Sequence, residues 1–370
     1  MTQPSKPAAG FSGDTEILTR SRSWIRFDQL TTFDEVATRT PDGEFRWEHP
    51  ERVIWEPYEG DMVWGHSRST DLMVTPETML LAHKRERFWR NGKSAYGEYQ
   101  EYLRDAGYFI GTQEAHLVAT SRWTPVGAPR SIHLKPTIIR TGSRQPLSFT
   151  ASSNDFAAFM GMYLAEGCLG YTTRSGAYPI NIWQSAVGNG FHEYGKRLDA
   201  MIGRHVPWMK KGFFVFNNKA LFEYLKPLGG HAYDKVIPPE VLDLAPEDLE
   251  TFWDFFCLGD GNQSWNPSGK EIRSAYSTSL DLMDGLQEVL QKMGGWAIRR
   301  LLPMDRGAGP RGQIEVRRRP CYKIFRRHGA VASGTNVDRV PYEGFIGSVA
   351  VPADVVYVRR DGWPIWAGTA

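Results

Sequence analysis

The stretch that decides the fold is Phe159-Met160-Gly161-Met162-Tyr163-Leu164-Ala165-Glu166-Gly167. A second copy of the same pattern occupies Trp253-Asp254-Phe255-Phe256-Cys257-Leu258-Gly259-Asp260-Gly261. Each copy is an apolar run that ends in a small residue, a carboxylate and a glycine. The two carboxylates, Glu166 and Asp260, are 94 residues apart in the chain. The function therefore depends on whether these two acids meet in space.

The residues before each carboxylate have the periodicity of an amphipathic helix. In the first copy the apolar residues recur at i, i+3, i+4, i+7 and i+8, which predicts one wide buried face; they are Phe156, Phe159, Met160, Tyr163 and Leu164. A capping box is indicated at Ser152, and Pro246 suits the first position of the second helix. A stripe of small residues on the first helix predicts close packing against another helix; it comprises Ala157, Gly161 and Ala165.

The segments after the two helices repeat the same order of elements. Strand-like and helical runs follow the first copy at 180–184, 191–201, 212–217 and 219–228. Comparable runs follow the second copy at 272–277, 279–293, 296–302 and 313–319. We therefore expect an internal duplication with two αββαββα repeats, over about residues 150–232 and 245–330, inside a domain that spans 136–330.

The flanking segments predict an all-β domain, because short strand-like runs alternate with Gly and Asp turns. The runs in the first flank are 17–19, 35–38, 52–55, 62–64 and 72–75, with turns at Asp42-Gly43 and Glu59-Gly60-Asp61. The segment from about 334 to the end is too short for a core of its own. We expect it to complete a discontinuous domain of residues 11–135 and 331–370, and we expect residues 1–10 to form a flexible tail. The fold class is α+β.

Composition is that of a globular chain, with 41% hydrophobic and 23% charged residues. Three cysteines form neither a disulfide framework nor a metal-binding spacing. No apolar run reaches the roughly 18 residues of a membrane span, and no targeting peptide is evident at the N-terminus. The expected setting is the cytoplasm of a bacterial host or a phage-infected cell.

Positive charge is concentrated in one region, because ten Lys and Arg residues lie between Arg299 and Arg327 against Asp305 and Glu315. Such a density favours a surface that binds nucleic-acid phosphates. Two carboxylates at helix C-termini repel each other unless a hard cation such as Mg²⁺ lies between them. This combination points to metal-assisted phosphodiester hydrolysis. Glycoside hydrolysis by a carboxyl pair is the competing chemistry, but the basic strands argue against a neutral sugar.

The two nonapeptides resemble the paired LAGLIDADG motifs of homing endonucleases. Two further segments resemble parts of the intein-borne members, Lys235-Val236-Ile237-Pro238 before the second motif and Tyr276-Ser277-Thr278-Ser279-Leu280 after it. The flanks resemble the splicing (Hint) domain of inteins, through the segments 11–19, 74–78, 344–352 and 356–362. The resemblance implies a LAGLIDADG endonuclease, with a pseudo-twofold pair of αββαββα halves, inserted in a Hint domain.

The Hint resemblance lacks the residues on which splicing depends. The position of the first nucleophile is Gly10, and that of the activating His is Thr78. Thr369 or Ala370 stands where an Asn must cyclise, and Ser348 is a further departure. A splicing-inactive domain follows, either degenerate in nature or altered by substitution.

For the nuclease, the resemblance implies that Glu166 and Asp260 bind Mg²⁺ (or Mn²⁺) and cleave both strands of a long, asymmetric double-stranded DNA site, as a monomer. Gln184 and Lys323 are the candidate catalytic helpers. Side-chain type and alternation suggest a set of DNA contacts: Asn181, Gln184, Arg273, Arg299, Arg317 and Arg319. Two alternatives remain: a DNA- or RNA-binding protein of this fold without cleavage, such as a maturase or repressor, and an intein whose splicing residues were mutated.

Overall fold

The computed structural model describes the chain except residues 1–8, 91–92, 112–114, 128–129, 136–147, 171–176, 188–189, 266–270, 305–306, 309–313, 316–317, 328 and 370. The described chain divides into two compact units. The first unit comprises Met1–Trp123, Gly294–Ile298 and Arg327–Ala370, and the second comprises Thr124–Met293 and Arg299–Arg326. The architecture is mixed α and β, with several separate sheets.

The chain begins with ten strands in the first unit. They are β1 Phe11–Ser12, β2 Glu16–Thr19, β3 Ser23–Arg26, β4 Val36–Arg39, β5 Phe45–Glu48, β6 Arg52–His66, β7 Asp71–Val74, β8 Met79–Arg90, β9 Lys93–Asp105 and β10 Ala115–Val118. Two 3₁₀ turns lie among them, at Phe27–Gln29 and Ala106–Phe109. A flexible tail is predicted for residues 1–10, of which residues 1–8 lie outside the described part of the chain. Gly10 is instead buried and hydrogen-bonded, because it pairs with the segment that follows β7.

The first half of the second unit follows. Its elements are β11 Ser131–Leu134, β12 Phe149–Ser152, α1 Ser153–Glu166, β13 Gly167–Leu169, β14 Pro179–Trp183, α2 Gly190–Ile202, β15 Trp208–Met209, β16 Phe213–Asn217 and α3 Lys219–Leu225, with a 3₁₀ turn at Lys226–Leu228. The domain boundary expected after residue 135 differs from the limit of the first unit at Trp123. The reason is that β11 pairs with β12, which leads directly into α1.

The second half continues with α4 Pro239–Leu242, α5 Pro246–Asp260, β17 Gly261–Trp265, β18 Glu271–Ser277, α6 Leu280–Lys292, β19 Trp296–Leu302, β20 Gly307–Ala308, β21 Ile314–Glu315 and β22 Cys321–Arg327. The first three residues of β19 and the last residue of β22 belong to the first unit. The sheet orders of the two halves are β13-β14-β16-β15 and β17-β18-β22-β19. Each half thus places its strands in the same order after its long helix, as the duplicated pattern in the sequence predicts.

The chain ends in β23 Val331–Ala350, β24 Val355–Arg360 and β25 Trp363–Gly368. These strands join the N-terminal ones in a 13-stranded sheet along β1-β7-β6-β23-β10-β8-β25-β24-β2-β4-β5, with β3 on β2 and β9 on β8. The expectation that the C-terminal segment completes the N-terminal β structure agrees with this pairing. The core of the sheet is aliphatic and aromatic, with Ile17, Phe27, Val356 and Tyr357 fully buried.

The turn expected at Glu59-Gly60-Asp61 is wrong. Strand β6 passes through these residues without interruption and pairs with β23 from Arg52↔Ala350 to His66↔Asn336. The Tyr58 hydroxyl donates to the carbonyl of Asp61 at 2.9 Å, and its ring covers Gly60. The ladder to a partner strand almost three hundred residues away outweighs the local turn preference of these residues.

Candidate active site

Helices α1 and α5 pack through their small residues, as the stripe on α1 predicts. A Cβ added at Gly161 would collide with the Phe252 carbonyl oxygen and lie 2.9 Å from the Phe256 nitrogen. Nearer the helix ends, a Cβ added at Gly259 would lie 2.7 Å from the Cβ of Ala165. The backbone of α5 therefore lies against Gly161, and the side chains of Ala165 and Glu166 lie against Gly259. Neither position has room for a Cβ.

The start of α1 is built as its sequence indicates. The Ser152 side chain accepts a hydrogen bond from the amide of Asp155 at 3.1 Å and caps the helix. Asn154 then donates to Asp248 at 2.9 Å and to Thr251 at 2.8 Å on α5. These bonds set the register of the two helices, and the register decides which residues meet at the opposite end.

At that opposite end the two carboxylates come together. Glu166 is the last residue of α1 and Asp260 is the last residue of α5, and the chain leaves each helix through an extended glycine, Gly167 or Gly261. The Glu166 side chain covers the backbone beside Asp260, because a Cβ at Gly259 would lie 2.8 Å from Glu166 Cγ. The helix pair thus joins two acids that are far apart in the chain.

Lys235 lies under this pair. Its side chain is only 5% exposed, and its ammonium donates to three carbonyls at the end of α1, those of Tyr163 at 3.0 Å, Leu164 at 3.1 Å and Ala165 at 3.4 Å. The Tyr163 carbonyl also accepts from the amide of Gly167, the C-cap residue. The ammonium adds a donor to the exposed carbonyl end of the helix and offsets the negative end of the helix dipole.

Ser279 holds Lys235 in place. Its hydroxyl donates to the Lys235 carbonyl at 2.6 Å and accepts from the amide of Leu282 at 3.1 Å, as the N-cap of α6. Both residues belong to the two short segments that flank the second motif. Neither residue is among the site residues that the sequence predicts. The resemblance of both segments to parts of intein-borne nucleases is the feature of the sequence that could have indicated them.

The protonation of the site follows from its burial. Burial, and then the neighbouring Glu166 carboxylate, raise the pKa of Asp260 to about 7, against the opposing charge of Lys235. Burial also raises the pKa of Glu166, again opposed by Lys235. Burial lowers the pKa of Lys235, and the charges of Asp260 and Glu166 oppose this. The shifts of all three pKa values thus favour a lower net charge in the cluster.

Tyr194 closes the site from α2. Its hydroxyl donates to the Phe255 carbonyl at 2.7 Å, and the residue is fully buried. Burial, and then the charges of Glu166 and Asp260, raise the pKa of this phenol well above its usual range. Tyr194 therefore stays a neutral donor, and its hydroxyl lies beside Gly259, next to Asp260.

The donor set suits Mg²⁺ or Mn²⁺ better than a metal that needs a full protein cage. Among the described residues, no group of three or more His, Cys, Asp or Glu side chains is placed to hold a metal ion. Mg²⁺ keeps several waters and binds through one or two carboxylates together with phosphate oxygens. Glu166 and Asp260 supply those two carboxylates.

The two candidate helpers lie in different surroundings. Gln184 is buried and directly follows β14. Its side chain lies against Gly190, and its backbone carbonyl accepts a hydrogen bond from the Trp208 indole at 3.3 Å. Lys323 lies on β22 with its ammonium 4.4 Å from the ring centroid of Phe325 and 4.9 Å from that of Tyr276. The charge that acts on Glu166 and Asp260 is that of Lys235. Catalytic roles for Gln184 and Lys323 stay predictions.

The candidate DNA contacts separate into two groups. Arg273 forms an ion pair with Asp254 on α5, and Arg299 forms one with Asp284 on α6 at 2.6 Å. Both guanidinium groups are therefore directed toward the helices. Asn181 lies on the face of its strand that points away from the helices. Arg319 is exposed, and its guanidinium lies 3.7 Å from the ring centroid of Tyr233. Arg317 lies outside the described residues.

In the first unit, two of the positions that were matched to splicing residues, Gly10 and Thr78, are in contact. The amide of Gly10 donates to the Thr75 hydroxyl at 3.1 Å and to the Thr78 hydroxyl at 2.9 Å. The Thr78 hydroxyl in turn donates to the Gly10 carbonyl at 3.1 Å. Ser348 is buried in β23, and Thr369 lines an 870 Å³ cleft together with Ala9. Ala370 lies outside the described part of the chain.

Comparison with curated proteins finds two matches of unrelated name. The chain is 23% identical over 405 residues to the DNA-directed RNA polymerase subunit beta C-terminal section of Stigeoclonium helveticum, which covers 96% of this chain and 36% of that protein. It is 24% identical over 270 residues to the ATP-dependent Clp protease proteolytic subunit of Chlamydomonas moewusii, which covers 67% of this chain and 24% of that protein. The chain thus spans about a third or less of these relatives. No family model matches it.

Among solved structures, the neighbours include two of I-DmoI, one in complex with DNA and Mn and one a variant in complex with its target DNA nicked in the coding strand. Both have a TM-score of 0.33 and 11% sequence identity. They cover 47% of this chain, and 90% and 89% of the respective neighbours. Similarity at this level does not establish the function of this chain.

The described helices include none that is both long enough and apolar enough to cross a membrane.

Proposed function

We propose that this chain is a metal-dependent, site-specific DNA endonuclease of the LAGLIDADG type, carried within a splicing-inactive Hint-like frame. The observation that carries the proposal is the junction of Glu166 and Asp260 at the ends of two packed helices, over the buried ammonium of Lys235. Bringing two half-buried acids together beside a buried lysine costs free energy, and carboxylates with pKa values raised in this way are typical of functional sites.

In the proposed reaction Glu166 and Asp260 would hold Mg²⁺ (or Mn²⁺), which supplies an activated water and stabilises charge on the leaving oxygen. The chain itself orients the two acids through the packed helices. Lys235 keeps at least one acid ionised, because its positive charge opposes protonation of both.

Both acids come from one chain, so a monomer supplies the whole site. The two halves share a topology but differ in sequence, which suits a long, asymmetric double-stranded DNA site. The two curated relatives have unrelated names, a polymerase subunit and a protease subunit. A segment common to two such proteins is expected of an inserted element, which agrees with the proposed intein origin.

A cleavage selection tests the proposal. The full chain is incubated with Mg²⁺ and a library of plasmids that carry randomised duplex inserts, and linear products are sequenced. We expect double-strand cuts at one family of related sites. Glu166→Gln and Asp260→Asn should each lower cleavage at least a hundredfold while DNA binding persists.

The matched control is Glu247→Gln, which removes one negative charge from the exposed first turn of α5, at the far end from the site. This variant should cut as the wild type does. Cleavage that survives both Glu166→Gln and Asp260→Asn would refute the proposal. Binding without any cleavage by the wild type would instead favour the alternative of a maturase or repressor.

A further inference from the structure

The outward face of the first-half sheet has an unusual composition for a surface. Ile182 and Phe214 point inward, and the ring of Phe214 packs on Phe191 of α2 at 5.5 Å. The residues that alternate with them lie on the other face and form three rows across the strands. The rows are Cys168, Asn181 and Val215; Pro179 and Asn217; and Trp183, Phe213 and Met209.

This face is largely apolar and partly open to solvent. Trp183 and Met209 are each 43% exposed. The ring of Trp183 lies 4.7 Å from that of Phe213, and its indole nitrogen donates to the Cys168 sulfur at 3.3 Å. The indole thus presents carbon rather than a free donor. The polar side chains in these rows are two amides, Asn181 and Asn217.

The outward face of the second-half sheet is chemically different. Lys323 lies over the rings of Tyr276 and Phe325, and the guanidinium of Arg300 lies 5.7 Å from the Phe325 ring centroid. Arg300 is exposed. This face therefore presents cations supported by aromatic rings, where the corresponding face of the first half presents aromatic and aliphatic carbon with two amides.

Both outward faces begin at the carboxylate pair. Strand β13 starts directly after Glu166, and β17 starts directly after Asp260. Helices α1 and α2 cover the inner side of the first sheet, where Phe159 contacts Phe216 and Phe191 contacts Phe214. A duplex with its scissile phosphates at Glu166 and Asp260 must therefore extend over the outward faces.

We propose, on the basis of the proposed function, that the first-half sheet selects an A·T-rich half-site. Trp183, Phe213 and Met209 contact thymine methyl groups in the major groove. The amides of Asn181 and Asn217 bind adenine, whose N6 and N7 edge matches a side-chain amide. The second-half sheet, with Lys323 and Arg300, takes the half-site that is richer in guanine and in phosphate contacts.

The test begins with the sites recovered in the cleavage selection. One half of the recovered site should be enriched in A·T pairs. Binding is then measured with the Glu166→Gln chain, on the selected duplex and on duplexes in which single thymines of that half are replaced by deoxyuridine. Loss of each contacted methyl should weaken binding about threefold, the effect expected for one buried carbon.

Trp183→Ala, added to Glu166→Gln, should bind more weakly and lose its sensitivity to deoxyuridine at one or two positions. Trp265→Ala is the matched control, because it removes an exposed tryptophan from the second-half sheet. It should keep the full deoxyuridine effect in the A·T-rich half. The comparison of the two variants also shows which half of the DNA site lies over the first-half sheet.

Specific cleavage at a site without an A·T-rich half would overturn this inference and leave the proposed nuclease intact. An unchanged deoxyuridine effect in Trp183→Ala would do the same. If no duplex is bound or cut, the proposed function fails, and the inference fails with it.

Discussion

Lys235 is the buried residue that lowers the cost of bringing the two half-buried carboxylates together. Two acids at the negative ends of two helix dipoles repel each other and the helix carbonyls. The ammonium of Lys235 meets three of those carbonyls and opposes the protonation of both acids. One lysine thus serves as a helix cap and as a counter-ion.

Replacing this lysine should be costly. Lys235→Met should destabilise the chain by about 3–5 kcal/mol, since it removes a buried donor from the carbonyls of Leu164 and Ala165 and the neighbouring cation from the acids. Urea unfolding followed by tryptophan fluorescence measures the change. Lys226→Met, at an exposed lysine nearby in the chain, should change stability by less than about 0.5 kcal/mol. Equal losses for the two variants would contradict the role assigned to Lys235.

The raised pKa of Asp260 predicts a pH dependence for metal binding. Below a pH of about 7 the Asp260 carboxyl holds a proton that a divalent cation must displace. Affinity for Mn²⁺, measured by titration calorimetry without DNA, should rise as the pH increases and level off above about 7. Proton release on binding should decrease over the same interval. An affinity that is flat across this interval would contradict the prediction.

The raised pKa of Asp260 also makes the stability of the metal-free protein depend on pH. A carboxyl whose pKa is raised by folding favours its protonated form in the folded state, so stability falls as the pH rises from the unfolded value toward about 7. Asp260→Asn removes the ionisation. It should therefore stabilise the metal-free chain above pH 7, by on the order of 1–3 kcal/mol. The gain should be smaller in mild acid and should vanish only below about pH 4, the ordinary pKa of an aspartate.

At the scale of elements, the contact between α1 and α5 carries the site. Their packing brings the backbone of α5 against Gly161 and the Ala165 side chain against Gly259, and the polar contacts of Asn154 set the register at the other end. Glu166 and Asp260 are the last helical residues, so a shift of one turn between the helices would separate them by about 5.4 Å.

A single methyl group tests this packing. In Gly161→Ala the new Cβ would press on the backbone of α5 at Phe252 and Phe256. We expect a loss of about 1–3 kcal/mol in stability, as for other overpacked cores, together with weaker Mn²⁺ binding.

Gly195→Ala is the matched control in α2. There the new Cβ would meet only the Phe214 ring at 3.3 Å. The better helix propensity of alanine should leave this variant as stable as the wild type or more so. If Gly161→Ala proves equally harmless, the close helix contact is not needed.

At the scale of the whole molecule, the two units differ in whether they hold side chains that could carry out a reaction. The second unit keeps both carboxylates and their lysine. In the first unit the Gly10 amide is held by two threonine hydroxyls, but Gly10 has no side chain to attack a peptide bond. In the proposed Hint-like frame, the position matched to the splicing nucleophile thus offers a backbone amide and no reactive side chain.

This difference predicts that the chain neither splices nor cleaves itself. Intact mass spectrometry of the purified protein, with and without dithiothreitol, should show one unbroken chain. Gly10→Cys with Thr78→His restores a nucleophile and an imidazole at the two matched positions. That variant should release residues 1–9 when treated with dithiothreitol. Release from the wild type would contradict the assignment of an inactive domain.

Much of this protein was determined by its sequence alone. The bounds of α1, α5 and α6, the capping by Ser152 and the close approach along the stripe that contains Gly161 all follow from local periodicity and residue type. These features depend on residues a few positions apart, which the sequence shows directly.

Only the tertiary structure decided the remaining features, because they depend on contacts between distant residues. The ladder with β23 extends β6 through an apparent turn. Helix carboxylates draw Arg273 and Arg299 away from the outward faces. Lys235 reaches the end of α1 from seventy residues away in the chain. The sequence supplied the two acids, and the fold supplied the cation that allows them to lie together.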